Sequence, residues 1–156
     1  MSALKIRIAK DKAELIKSLT TSENNNSPFP TYADVMVFAA ALGAKRKKRS
    51  PLGQISKKDP GPINLDIFVT RGYDVAIKLL AIAETKDAKI LGTLDQTMVE
   101  KRLEIFEEYA NGGLEILRDE LRGAVDYTEQ IMLMLISERF KQEDTGQFSF
   151  DLSKFL

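Results

Sequence analysis

The stretch that decides the fold is Gln96-Thr-Met-Val-Glu-Lys-Arg-Leu-Glu-Ile-Phe-Glu-Glu-Tyr-Ala-Asn-Gly-Gly-Leu-Glu-Ile-Leu-Arg-Asp-Glu-Leu121. Val99, Leu103, Phe106, Ala110, Leu117 and Leu121 recur at helical spacing, which predicts a long amphipathic helix. Asn111-Gly112-Gly113 interrupts it. Each glycine costs roughly 1 kcal/mol against alanine inside a helix. The pair therefore marks a kink, a break or a close backbone crossing. Thr93-Leu-Asp-Gln96 in front has capping-box form.

Upstream, Thr31 is a good N-cap, with Asp34 at the third helical position. Val35-Met-Val-Phe-Ala-Ala-Ala-Leu42 is apolar nearly all round and predicts a central core helix, stopped at Gly43. Leu4, Ile6 and Ile8 alternate with Lys5 and Arg7 as a short strand does. Asp11 to Glu14 reads as a capping box before a helix reaching about residue 20. Residues 22–30 carry Asn24-Asn-Asn26, Pro28 and Pro30 and read as a loop. Ile63 to Val69 suits strand or helix; Pro62 at a first helical position and Gly72 past the end favour a short helix. Tyr73 to Lys86 is a helix with Val75, Leu79 and Ile82 on one stripe and Ile77 and Leu80 beside it. Asp126-Tyr-Thr-Glu129 caps a last helix containing Ile131-Met-Leu-Met-Leu-Ile136, expected to be buried or to form an oligomer contact. Phe148 and Phe150 alternate in an extended tail over 141–156. The expectation is a mainly α-helical single domain over 1–156, with one short strand within 1–10.

Composition narrows the chemistry. The chain has 156 residues, with no His, Cys or Trp. That excludes disulfides, thiolate and imidazole zinc sites, cysteine nucleophiles and imidazole general bases. No phosphate-binding glycine loop and no nucleophile elbow is present. No catalytic residue, metal site or cofactor is therefore expected. No apolar h-region follows Met1, and Val35 to Ala44 is too short to span a bilayer, so the expected setting is the cytoplasm, without membrane contact.

Net charge is zero, from 23 basic and 23 acidic residues. Residues 1–78 carry 14 basic and 7 acidic side chains, a balance of +7, and the remainder balances it at −7. Such a split suggests a basic interaction surface, or head-to-tail self-association. The densest cluster is Lys45, Arg46, Lys47, Lys48 and Arg49, followed by Lys57 and Lys58. Five consecutive cations exceed what a helix C-terminus uses, because dipole effects fade within a turn. Clusters of this kind attract nucleic-acid backbones through counterion release, and the absence of aromatics argues for phosphate contact without base stacking. Lys5 and Arg7, with Lys10 and Lys12, could extend the basic face. A strand followed by two helices has a superficial likeness to ribbon–helix–helix DNA binders, although the inter-helix loop is too long for that fold. Glu84-Thr-Lys86, with Asp74 upstream, formally matches a metal-nuclease motif, but on a helix instead of a strand. The acids Glu104, Glu107, Glu108, Glu115, Asp119 and Glu120 read as a solvated helix face.

Thr31 to Gly43 leading into Lys45 to Arg49, Gly61-Pro-Ile63, Gly72-Tyr-Asp74 through Glu84 to Asp87, and Glu107 to Leu117 together resemble the dnd system-associated protein 4 family of bacterial DNA phosphorothioation clusters. The resemblance implies a role beside sulfur-modified DNA, in modification or in linked restriction and phage defence. It supplies no catalytic residues. The order of N-terminal elements is also similar, more distantly, to the small oligomeric component of those clusters that binds nicked duplex DNA. The resulting expectation is a non-enzymatic, homo-oligomeric accessory. It would bind double-stranded DNA through Lys45 to Arg49, Lys57, Lys58, Lys5 and Arg7, and would meet other proteins of the system. A protein–protein adaptor without DNA contact is the alternative, and a metal nuclease a further one.

Overall fold

A computed structural model describes residues 4–20 and 27–144, with side chains to residue 140. Of the extended tail expected over 141–156, residues 141–144 continue the last helix instead, and the rest, with Phe148 and Phe150, lies outside the described residues. The order is β1 (Lys5–Ile6), a 3-10 turn (Lys10–Lys12), α1 (Ala13–Thr20), α2 (Tyr32–Lys45), β2 (Ile63–Asn64), α3 (Leu65–Thr70), α4 (Asp74–Thr85), a 3-10 turn (Ala88–Leu91), α5 (Gln96–Glu120) and α6 (Tyr127–Asp144). The mainly helical expectation holds. β1 pairs antiparallel with β2, Lys5 opposite Asn64 and Ile6 opposite Ile63, and Ala9 bridges Ile55. The N-terminal strand is thus taken up within the fold, unlike the strand of a ribbon–helix–helix protein.

The centre is the crossing of α2 and α5. α5 runs unbroken through Asn111-Gly112-Gly113, so the glycines mark a close crossing and neither a kink nor a break. A Cβ at Gly113 would stand 1.7 Å from the Ala39 carbonyl oxygen, and one at Gly112 would stand 2.0 Å from the Lys48 oxygen. Gly43 answers from the other side, where a Cβ would meet the Tyr109 oxygen at 2.1 Å. Gly43 therefore does not stop its helix as expected; α2 continues to Lys45 because the glycine is needed for contact, not for a turn. Around the crossing, Met36, Ala39, Ala40, Phe106, Ala110, Leu114 and Leu117 are buried. Phe68 meets Phe106 edge-on, centroids 5.7 Å apart.

Other boundaries shift for local reasons. The Thr31–Asp34 capping box forms as expected, Asp34 N donating to Thr31 Oγ1 at 3.3 Å and Thr31 N to Asp34 Oδ2 at 3.0 Å. The Asp11 box does not form: Asp11 precedes α1 in the 3-10 turn, and its carboxylate takes Lys12 Nζ at 3.1 Å. Asp95 caps α5 in place of Thr93, accepting from Thr97 N at 3.0 Å. Ile63 to Val69 is both things in turn, strand to Asn64 and helix from Leu65, so Pro62 is not at a first helical position. On α4 the buried line is Ile77 and Ala81, facing α5, while Val75 and Leu79 are exposed. α6 buries Ile131 and Met134 and exposes Met132, Leu133, Leu135 and Ile136, so the apolar run is only partly core. No described helix is long and apolar enough to cross a membrane.

Candidate nucleic-acid interface

The run Lys45 to Arg49 leaves the end of α2 and passes over α5. Its cations meet some of the acids that the sequence places on a solvated face: Glu104, Asp119 and Glu120 are exposed as expected, while Glu107, Glu108 and Glu115 are covered to differing degrees. Arg46 donates from Nε and Nη2 to Glu138 Oε1 of α6 at 2.9 and 2.5 Å, and reaches Glu120 at 3.5 Å. Lys45 adds a second contact to Glu138 at 3.6 Å. Lys48 pairs with Glu115 at 3.3 Å, where Ser50 Oγ also donates at 3.2 Å and buried Lys12 approaches to 3.6 Å. Burial raises the Glu115 pKa, but these donors and cations outweigh it and the net shift is downward.

Arg49 bridges two helices. Nη1 reaches Glu84 of α4 at 2.9 Å, Nε reaches Glu108 of α5 at 2.8 Å, and the guanidinium lies 6.0 Å from the Tyr109 ring centroid. Tyr109 also donates its hydroxyl to Glu84. That bond, helped by Arg49, holds the Glu84 carboxyl below its usual range. Lys47 is the exception in the run: its backbone is left-handed (φ 54°), it is exposed, and it has no ion pair among the described residues. Arg7 is likewise engaged. Its backbone N, Nε and Nη2 all donate to Glu107, at 2.5, 3.1 and 3.0 Å, and Glu107 is 2% exposed. Hence part of the charge of the two halves is paired within one molecule, the basic run and Arg7 against acids of α4, α5 and α6.

Three exposed lysines gather elsewhere. Lys10, Lys57 and Lys58 line an open groove of about 920 Å³ with Gln54, and none has an ion pair among the described residues. The segment behind it is fixed by backbone bonds from Lys10 N to Gln54 O and Ser56 N to Ile8 O, both 2.8 Å. Ser56 Oγ, buried, donates to the carbonyl of Pro60 at 2.8 Å. Glu14 and Asp59 also line the groove, and Asp59 is already held by the Tyr32 hydroxyl at 2.7 Å and Lys17 at 3.8 Å. Lys5 is exposed on β1 without an ion pair among the described residues. Lys10 is the residue that sequence position undervalued, because only the Ala9–Ile55 bridge brings it beside Lys57 and Lys58.

The nuclease residues are not brought together. Asp74 and Glu84 stand at opposite ends of α4, about 15 Å apart at 1.5 Å rise per residue, and Glu84 is occupied by Tyr109 and Arg49. Among the described residues no group of three or more acidic side chains could hold a metal ion.

The family model for DNA sulphur modification system-associated protein 4 matches residues 5–155, nearly the whole chain. The chain belongs to that family. It is also similar to the cardiac-muscle myosin regulatory light chain 2B of Gallus gallus, 27% identical over 134 residues that cover 86% of this chain and 67% of that one. At that identity the likeness establishes no common family. No solved structure matches the chain. The family places the protein in association with a DNA sulphur-modification system, as the resemblance of its sequence segments had implied.

Proposed function

We propose that the protein is a non-enzymatic, cytoplasmic accessory of a DNA sulphur-modification system that contacts duplex phosphates and recruits other proteins of that system. The observation that carries the reading is the groove lined by Lys10, Lys57 and Lys58, cations that no internal carboxylate neutralises among the described residues. Lys47 and Lys5 add further exposed charge. Lys45, Arg46, Lys48 and Arg49, by contrast, tie the end of α2 to α4, α5 and α6, and Arg7 ties the N-terminal segment to α5. Ammonium groups on flexible stems read phosphate charge without sequence, which suits an accessory whose specificity comes from its partners. Gel-shift titrations with intact and nicked duplex at two salt concentrations test this. Lys57→Glu with Lys58→Glu should weaken binding to every sequence and reduce the salt slope by about 2, roughly 1 per lysine. Unchanged affinity in that double variant refutes the groove as the DNA surface.

Self-association is favoured by a separate observation. On α6, Met132, Leu133, Ile136 and Phe140 are all about half exposed, on the side opposite buried Ile131 and Met134. A helix with two apolar sides needs cover on both. We assign this outer face to assembly, between copies of the chain in the first instance. Sedimentation should show an oligomer that Leu133→Glu with Ile136→Glu converts to monomer, at unchanged helicity. A wild-type chain that is monomeric at every concentration removes the self-association.

A further inference from the structure

Arg102 projects from α5 and is 7% exposed, yet no carboxylate pairs with it among the described residues. Its Nη1 donates to the carbonyls of Ile90 and Gly92 at 2.7 and 2.8 Å. Those bonds anchor the 3-10 turn before α5 but carry no formal negative charge. A guanidinium has five N–H donors in a planar fork, and buried charges are ordinarily paired. Arg102 also lines a pocket of about 150 Å³ between α3, α4 and α5. Leu65, Val69, Val99 and Leu103 form its apolar wall, and Lys78 supplies a second cation, itself 3.6 Å from Asp74 at the same pocket. The space equals about five waters at roughly 30 Å³ each.

A cation beside an apolar wall fits a small anion that is charged on one side and poorly hydrated on the other. A fully oxygenated phosphate is a poor match, because its oxygens demand donors all round and leave water at high cost. A phosphorothioate diester is a better one. It carries one negative charge, and its sulphur is large, polarisable and a weak hydrogen-bond acceptor. We propose that this pocket binds a monoanion of the phosphorothioate-diester class, its non-bridging oxygen on Arg102 and its sulphur against the leucine and valine wall. The choice of sulphur over other soft groups rests on the association with a DNA sulphur-modification system; the anion site itself rests on the pocket.

The test uses the full chain and two small probes, O,O-diethyl thiophosphate and diethyl phosphate, followed by amide chemical shifts in NMR titrations. The thiophosphate should saturate shifts in α3, α4 and the start of α5 at roughly millimolar or tighter Kd. It should bind at least about 10-fold tighter than diethyl phosphate, the usual discrimination of an apolar pocket for one apolar group. Arg102→Met should abolish saturation. Should that variant fail to fold, Val69→Asp places a negative charge on the exposed rim and should block binding at unchanged melting temperature. Absence of saturable shifts, equal binding of the two probes, or shifts confined to the Lys10–Lys58 groove would each overturn the proposal. The Lys57/Lys58 gel shift reads other residues and another ligand, so either idea can fail alone.

Discussion

Gly113→Ala is the substitution whose sign separates the close crossing from an ordinary helix glycine. On a freestanding helix the change stabilises by about 1 kcal/mol. Here the added Cβ would sit 1.7 Å from the Ala39 carbonyl oxygen and 2.5 Å from its carbon, where ordinary contact begins near 3.4 Å. The obstacle is backbone of the facing helix, so no rotamer change relieves it. α2 and α5 must part by more than an ångström, loosening the packing of Met36, Ala40, Phe106 and Leu117. Overpacking a core costs about 1–3 kcal/mol, and an obstacle made of backbone puts this case at the upper end, about 3 kcal/mol or more. Set against the propensity gain, the net loss is about 2 kcal/mol or more. For a domain of this length each kcal/mol shifts the midpoint by roughly 2–4 °C, so a fall of about 4–8 °C or more is expected in a circular-dichroism melt. A midpoint raised by a few degrees would refute the crossing geometry. Gly112→Ala and Gly43→Ala carry the same sign for the same reason.

Glu107→Ala should cost roughly 1–2 kcal/mol in urea denaturation, because it removes the acceptor of the Arg7 backbone N–H, while the Arg7 guanidinium, about half exposed, is left to water; Glu104→Ala, on the exposed face of the same helix, should stay within about 0.5 kcal/mol, and equal costs would deny the pair its structural role. Stability should also be lost in acid. Burial raises Asp34, but bonds from Tyr73 and Thr31 and the charge of Arg71 bring it below its usual range, and Glu84 is lowered first by Tyr109 and then by Arg49. Carboxylates depressed in the folded state contribute fully above their unfolded pKa of about 4 and lose that contribution as pH falls through the lower folded values. The midpoint should therefore hold from pH 7 to 5 and fall below about pH 4, with Asp34→Asn flattening the acid limb; an acid limb unchanged in that variant would contradict the assignment.

Element type was legible wherever periodicity ran long. The α5 heptad-like pattern and the apolar body of α2 needed no tertiary information, and the double glycine already signalled a close approach as one of three readings. What sequence could not decide was which reading held, since that depends on Gly43 and Ala39 arriving opposite it from some 70 residues away. The same gap explains α4: two apolar lines fit the helical period equally, and only the position of α5 selects Ile77 and Ala81 over Val75 and Leu79. It explains Arg102 too, which reads as one more charge on an amphipathic helix until the 3-10 turn folds back to cover it.

Charge was the property most easily misread, because composition counts ions but not their distances. A run of five cations and a face of acids each look solvated when read alone. Brought together by the α2–α5 crossing, four of the five cations find carboxylates within 4 Å: Glu138 and Glu120 for Lys45 and Arg46, Glu115 for Lys48, and Glu84 and Glu108 for Arg49. A phosphate that bound there would have to compete with pairs that also fasten α6 to the body. Lysines outside that network meet no such competition, so the DNA contact we propose for the groove with three of them would not loosen the fold. The segregated charge is thus better understood as a latch between the halves of one chain, and the proposed DNA contact falls to the cations the latch leaves over.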